Sequence, residues 1–377
     1  MRTKRTDIFG EIFTPPELAQ EMLSSLPLNF WKDPTNTIID NSCGKGVFLD
    51  ECYKILVQHH QHEHIVKNML YGCDIQQDNI DATRELTCIT HLECADALTF
   101  DYWDNKKFSL VVGNPPYNSP KNVNKKGNRC NPLWISFTEL AVKELVKENG
   151  YLLYVHPPLY RKVGHKLWDS LNEKHFEEIH MFSQEKSSEI FNCGTKTDWY
   201  LWKNSRSKFN TSVVDERGNY ITLDLTDKNF LPNHSINQVY ELFSGKTDVI
   251  YDCSYHHYTH KLSEVETEEY CYPCVYLINN KGVEFRWSSY NDKGHFGVSK
   301  VIVSMGTGKA ILDWEGQYGM CEISFGIPIS SKEEGEKLVD YFSTEYFQNI
   351  LQAIKWKLVQ IDYKTFSYFN KKIVLEK

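Results

Sequence analysis

Residues 37–49 read TIIDNSCGKGVFL. Apolar residues, then an acidic residue, a turn with two glycines and an apolar start to the next segment: this is the order of a strand that feeds a helix through a close turn. Gly44 and Gly46 let backbone approach a ligand where a side chain would clash, and the helix that follows presents its amino end to anything polar. A nucleotide phosphate calls for three glycines or a P-loop lysine, and the stretch has neither. Taken alone, the turn fits a nucleoside-like ligand or a plain connection.

Working outward, strand-like runs at 37–40, 69–74, 91–95, 108–112, 150–156, 177–182 and 198–203 alternate with helix-like runs that include 47–58, 78–90, 132–148 and 162–173. Such alternation predicts an α/β fold, a doubly wound and largely parallel sheet with its ligands at the carboxyl ends of the strands. From about residue 204 the text becomes polar and irregular, then short, aromatic-rich and punctuated by Gly and Asn. That change predicts a boundary there, with residues 1–204 as one domain and 205–377 as a second of mixed or β-rich structure. The second closes on a helix-like stretch at 333–357.

The bulk numbers bound the class. The 377 residues are 41% hydrophobic and 24% charged, without an apolar run of the roughly 20 residues that span a bilayer. No secretory signal opens the chain, and eleven cysteines in an odd set fit reduced thiols better than a disulfide framework. The expectation is a cytoplasmic protein without a membrane partner. A net charge of −8 argues against a non-specific polyanion binder and leaves local lysine clusters open.

Two further carboxylates fall at strand ends. Asp74 closes MLYGCD (69–74), where a carboxylate accepts hydrogen bonds from ribose hydroxyls, and Asp96 follows the third strand, where it can accept from an adenine amino group. The competing reading of each is a helix N-cap. The fourth strand, FSLVV (108–112), then runs into GNPPYN (113–118), and two prolines cannot continue a central strand. An exocyclic amine on an aromatic base is a poor nucleophile, because its lone pair is delocalised into the ring. Two fixed acceptors hold its N–H bonds as the nitrogen becomes tetrahedral, and Asn114 Oδ1 with the Pro115 carbonyl can be that pair. Pro115 and Pro116 hold the carbonyl still, and Tyr117 offers a face for stacking.

NPPY at 114–117 after a strand, with DNSCGKGVF at 40–48 and GEIFTPPELAQEML at 10–23 ahead of it, resembles the S-adenosylmethionine-dependent adenine-N6 DNA methyltransferases of restriction–modification systems, in particular the gamma, Taq-type class. The resemblance covers about residues 8–203. It implies a Rossmann-like class I methyltransferase domain, with a seven-stranded, mostly parallel sheet, and a smaller carboxyl-terminal target-recognition domain. It further implies S-adenosylmethionine as cofactor, no metal in the chemistry, a flipped-out adenine in double-stranded DNA as substrate, and a monomer working beside a separate restriction endonuclease. Carried over by residue, Thr14 resembles the contact to the methionine carboxylate, and Asp40, Cys43, Gly44 and Gly46 the turn around the methionine. Asp74 with Ile75 matches the ribose site, Asp96 with Ala97 the adenine site, and Asn114, Pro115, Pro116 and Tyr117 the catalytic motif, in which Asn114 also borders the cofactor. Phe191 aligns with the aromatic residue that covers the flipped base. Asn41 departs from the family, which commonly has Pro there.

The same tetrapeptide serves enzymes that methylate RNA bases or a protein glutamine amide, and a silent nucleic-acid-binding subunit is a third class of reading. The intact motif argues against the silent subunit. About 35 residues precede the first strand and about 170 follow the last, a layout that favours a nucleic-acid target. The chain offers no Asp…Glu-x-Lys arrangement that reads as a nuclease, so methylation without cleavage is expected. Lys121, Lys125, Lys126 and Arg129, in KNVNKKGNR, suit either phosphate contacts or a solvated loop. Lys355 and Lys357, in an aromatic-rich stretch, suit a DNA cleft or the margin of a core. Cys253-x-x-His256 with Cys271-x-x-Cys274 has the spacing of a structural zinc site, against ordinary thiols and surface histidines. MGTGKA (305–310) lacks both the first Gly and the Ser or Thr of a phosphate loop and reads as a turn at a strand end.

Overall fold

The computed structural model describes residues 12–119, 132–206, 209–256, 262–357 and 360–376. The chain forms two compact units, Met1–Tyr160 with His165–Asn229, and Arg161–Gly164 with Phe230–Lys377. The first is built on one sheet of nine strands: β1 (Ile38–Asp40), β2 (Leu70–Asp74), β3 (His91–Cys94), β4 (Phe108–Gly113), β5 (Val146–His156), β6 (His175–Phe182), β7 (Thr197–Lys203), β8 (Thr211–Val214) and β9 (Tyr220–Leu223). Their order is β3-β2-β1-β4-β5-β7-β6-β8-β9. The run from β3 to β5 is parallel, and β7 lies antiparallel between β5 and β6.

Burial explains the apolar text. All six residues of β4 are buried, as a strand covered on both faces requires. Helix α1 (Pro16–Ser24) has proline at its first positions and buries Leu18, Ala19, Met22 and Leu23 on one face. Helix α2 (Val47–Leu56) starts from Gly46, whose φ of 84° suits glycine. A Cβ at Gly46 would lie 2.8 Å from Thr83 Cγ2 of helix α3 (Gln77–Thr87), so the turn and the packing both demand a missing side chain.

Four expectations are corrected. Among the described residues the sheet has nine strands rather than seven, because β8 pairs parallel with β6 and β9 pairs with β8, and the first unit runs past residue 204 to Asn229. Their turn is closed by Asp215, which accepts from the Arg217 and Asn219 amides. The helix expected over 132–148 ends as α4 (Leu133–Leu140) and one wider turn, because Val146 already pairs with Phe108 in β5. The last long helix is two, α8 (Lys332–Ser343) and α9 (Glu345–Ala353), broken where Thr344 turns extended and caps the second with its side chain.

Between these in sequence lie α5 (Lys166–Asn172) and α6 (Gln184–Phe191) of the first unit and α7 (Ile236–Leu242) of the second. The second unit carries two small sheets. One is four-stranded, from β10 (Leu262–Ser263), β11 (Tyr272–Asn279), β12 (Gly282–Ser288) and β15 (Gly319–Met320). The other is three-stranded, from β13 (Lys300–Ser304), β14 (Ala310–Asp313) and β16 (Ser324–Pro328). MGTGKA is the turn between β13 and β14, with Gly308 at φ 74°. Among the described residues no helix is long and apolar enough to cross a membrane.

Candidate active site

The sheet order reverses between β1 and β4, and a parallel sheet opens its crevice at the carboxyl ends of such a pair. Asp40 ends β1 and is 2% exposed. Its Oδ1 accepts the Ser42 amide at 3.0 Å and sits 2.8 Å from where a Cβ on Gly113, the last residue of β4, would lie. Burial pushes the Asp40 carboxyl up to about 8, Asp74 adding to the rise and the Ser42 amide opposing it.

Asp74, at the end of β2, organises the neighbouring turns. Its Oδ2 accepts the Gly44 amide at 2.9 Å, and its Oδ1 accepts from the Gln76 amide and from Asn79 Nδ2. The carboxylate therefore fixes the glycine turn and the start of α3 together. Thr83 closes the arrangement from α3 by donating to the Gly44 carbonyl. Cys43 is buried, its Sγ 4.0 Å from Thr83 Oγ1, and its thiol is held well above the ordinary range by burial.

Asn114 follows Gly113 directly. Its Nδ2 donates to the Ile12 carbonyl at 2.9 Å and to Thr14 Oγ1 at 3.2 Å. Its Oδ1 is buried and has no hydrogen-bond partner among the described residues. The hydroxyl of Tyr117, three residues on, is likewise buried without a partner among them, and desolvation, with Cys193 and Asp198 adding to it, holds that phenol neutral.

A cavity of about 330 Å³ opens over these turns. Gly44, Asp74, Ile75, Asp96, Ala97, Asn114 and Pro116, all named by sequence reading, line it. Ile75 is 63% exposed, an apolar surface beside a carboxylate, and Asp96 caps its own turn through the Leu98 amide. Thr14, Asp40 and Cys43 stand behind the lining, where they hold the residues that face it. Tyr117 and Phe191 are 5% and 7% exposed and do not line the cavity; Phe191 ends α6 inside the core cluster that holds Cys193 and Trp199. Sequence reading missed Ile12, Ser42, Leu133 and Phe137 as cavity residues. The last two are an i, i+4 apolar pair at the start of α4, which one face of a helix behind a proline could have disclosed. A mostly apolar cleft with two carboxylates on one side and an unpartnered amide oxygen on the other fits a nucleoside bearing an amino acid.

Other candidates fare differently. Lys121, Lys125, Lys126 and Arg129 lie outside the described residues. Lys355 donates to the Gly306 carbonyl at 3.0 Å within its own unit, so it is a brace for the β13–β14 turn; Lys357 is exposed. Trp356, Phe366 and Phe369 are core residues. The zinc reading is corrected: among the described residues no group of three or more potential ligands gathers. Cys274 points into the interior beside Tyr255 and Cys321, where burial pushes its thiol up to about 12, while Cys253 and Cys271 are exposed.

Residues 48–191, less than half of the chain, match the model of the Eco57I restriction-modification methylase family. The matched stretch is similar to restriction–modification methylases. The chain is 25% identical over 150 residues to the modification methylase CviBIII of Paramecium bursaria Chlorella virus NC1A, a match that covers 39% of this chain and 37% of that protein. It is 27% identical over 159 residues to the type II methyltransferase M.CvrRI of Paramecium bursaria Chlorella virus XZ-6E, covering 39% and 36%. The matches thus span little more than a third of the length of these curated relatives. Among solved structures, the type IIL restriction-modification enzyme MmeI in complex with DNA superposes with a TM-score of 0.56 at 13% identity, over 90% of this chain and 65% of that one. At that identity the likeness to MmeI is one of fold alone.

Proposed function

We propose that the chain transfers a methyl group from S-adenosylmethionine to the exocyclic N6 amine of an adenine swung out of duplex DNA, and so marks a site against a cognate restriction enzyme. The observation that carries this reading is Asn114 Oδ1, a buried acceptor without a partner among the described residues, at the mouth of a nucleoside-sized cleft. A buried polar atom left unpaired is costly unless a ligand completes it. The cofactor, when bound, supplies an electrophilic methyl group on a sulfonium.

The residues of this chain do the rest. Asp74 accepts from ribose hydroxyls, Asp96 and Ala97 border the cofactor base, and Gly44 lets the methionine part pass close to the backbone. Asn114 Oδ1 and the Pro115 carbonyl accept the two N–H bonds of the target amine, and their pull strengthens as the nitrogen turns tetrahedral and positive. Tyr117 and Phe191 are the proposed faces of the base slot. The second unit is the proposed target-recognition module.

The test is incubation of the protein with labelled S-adenosylmethionine and mixed-sequence duplex DNA, followed by mapping of modified bases. Methylated adenine at a recurring sequence is the expected result. Methyl transfer to RNA or to protein with none to DNA would overturn the substrate assignment.

A further inference from the structure

We infer that Thr14 is a positioning residue for Asn114: with the Ile12 carbonyl it forms a strap that decides which end of the catalytic amide faces the substrate. The inference rests on the function proposed above and adds a part to it. A side-chain amide has a donor end and an acceptor end of nearly equal size, so packing alone does not choose between its two orientations. Here the choice is chemical. The Ile12 carbonyl can only accept, and it lies 2.9 Å from Nδ2; Thr14 Oγ1 lies 3.2 Å from the same atom. Turned over, the amide would set Oδ1 against the Ile12 carbonyl and present N–H groups to an incoming N–H donor. The strap therefore makes position 114 an acceptor toward the target, which the amine chemistry needs.

The strap is anchored apart from the residue it orients. Thr14 is 7% exposed and leads through Pro15 into α1, whose buried face and whose Gln20 Nε2, 2.9 Å from Glu51 Oε2 on α2, hold it to the fold. Asn114 is a hundred residues away in sequence, directly after β4.

The experiment pairs Thr14→Val, which keeps shape and loses the acceptor, with Thr14→Ser, which keeps it. Methyl transfer is followed at saturating S-adenosylmethionine in the wild-type and Asn114→Ala backgrounds. Losing one neutral hydrogen bond is worth up to about tenfold. Thr14→Val should therefore lower kcat about tenfold in the wild type and leave it unchanged in the Asn114→Ala background, while Thr14→Ser restores most of the rate. An equal loss in both backgrounds would overturn the inference, because Thr14 would then act on the cofactor alone. The side-chain amide protons of Asn114, assigned by their absence in Asn114→Ala, supply a readout that needs no catalysis. Both NMR signals should be protected from exchange in the wild type and in Thr14→Ser, whereas in Thr14→Val the proton given to the Ile12 carbonyl stays protected and the one given to Thr14 loses its protection. Protection of both protons in Thr14→Val sinks the strap even where methylation is seen. Protection that is lost while no DNA is methylated by the wild type would retain the strap and reject the substrate.

Discussion

The polar atoms around the turns after β1 and β4 and the buried charges of the second unit are treated in opposite ways. In the second unit Lys300 is fully buried, and its Nζ donates to Asp313 Oδ2 at 2.7 Å and to the His295 and Val298 carbonyls. Asp313 in turn accepts the Gln317 and Tyr318 amides. Arg161, 1% exposed, donates to the Leu231 carbonyl and to Asn233 Oδ1. At the site, by contrast, Asn114 Oδ1, Asn41 Nδ2, Ser42 Oγ and the Tyr117 hydroxyl are buried with no hydrogen-bond partner among the described residues. Satisfied buried charge specifies a fold, whereas polar atoms left over beside a cleft mark where a ligand is to complete the set.

If that contrast holds, changes in the two regions should read out in different assays. Lys300→Met leaves Asp313 buried beside an apolar side chain, and removing one partner of a buried pair costs about 3–5 kcal/mol. The transition of the second unit in urea should fall accordingly, and Lys300→Met with Asp313→Leu should recover most of the loss. A small effect of the single change would mean that water reaches the pair. Asn114→Ala should do the reverse. The unfolding transition and S-adenosylmethionine binding by calorimetry should hardly move, while transfer to DNA falls by about 2–4 kcal/mol in transition-state stabilisation, the scale for losing one preorganised partner. A wild-type rate would remove Asn114 from the chemistry.

Phe191 tests the border between the two categories, since it is buried in a core cluster yet is proposed as a face of the base slot. Phe191→Leu keeps most of the packed volume and removes the flat ring. Stacking of a base on an aromatic ring is worth about 1–3 kcal/mol, so transfer to DNA should fall roughly tenfold or more while the unfolding midpoint changes little. An unchanged rate would assign Phe191 to the core and leave Tyr117 as the single aromatic face.

What could be read from the text follows from how local each cause is. Asp40, Asp74 and Asn114 sit at strand ends followed by turn residues, so strand period and turn chemistry locate them without any long-range knowledge. The strap could not be read, because its deciding partner is the Ile12 backbone carbonyl, and a carbonyl carries no signal in the identity of its residue. Strands β8 and β9 were missed because each has only four residues set in polar text, and their place in the sheet comes from pairing, β8 with β6 and β9 with β8. Lys300 heads an apolar run, KVIVS, and only the register that sets it against Asp313 makes a lysine tolerable there. The cysteine spacing at 253–274 misled because spacing ignores which way a strand residue points, and Cys274 points inward.

The last prediction concerns Asp40, where the site departs from the fully satisfied pattern by charge rather than by count of bonds. Burial holds its carboxyl at about 8 in the folded chain, whereas an unfolded chain ionises it at about 4. Between those values the folded state binds a proton that the unfolded state has lost, so the contribution of Asp40 to stability declines as pH rises from about 4 to about 8 and is level above. Asp40→Asn ionises in neither state. The difference in unfolding free energy between variant and wild type should therefore grow in the variant's favour across that window, while every other titrating group cancels in the comparison. Urea unfolding at a series of pH values, without cofactor, measures it. A difference that is flat with pH, or that grows in favour of the wild type, would mean that the carboxylate is ionised in the fold, held by the Ser42 amide more strongly than burial opposes it. Asp40 would then belong with Asp313 among the satisfied charges.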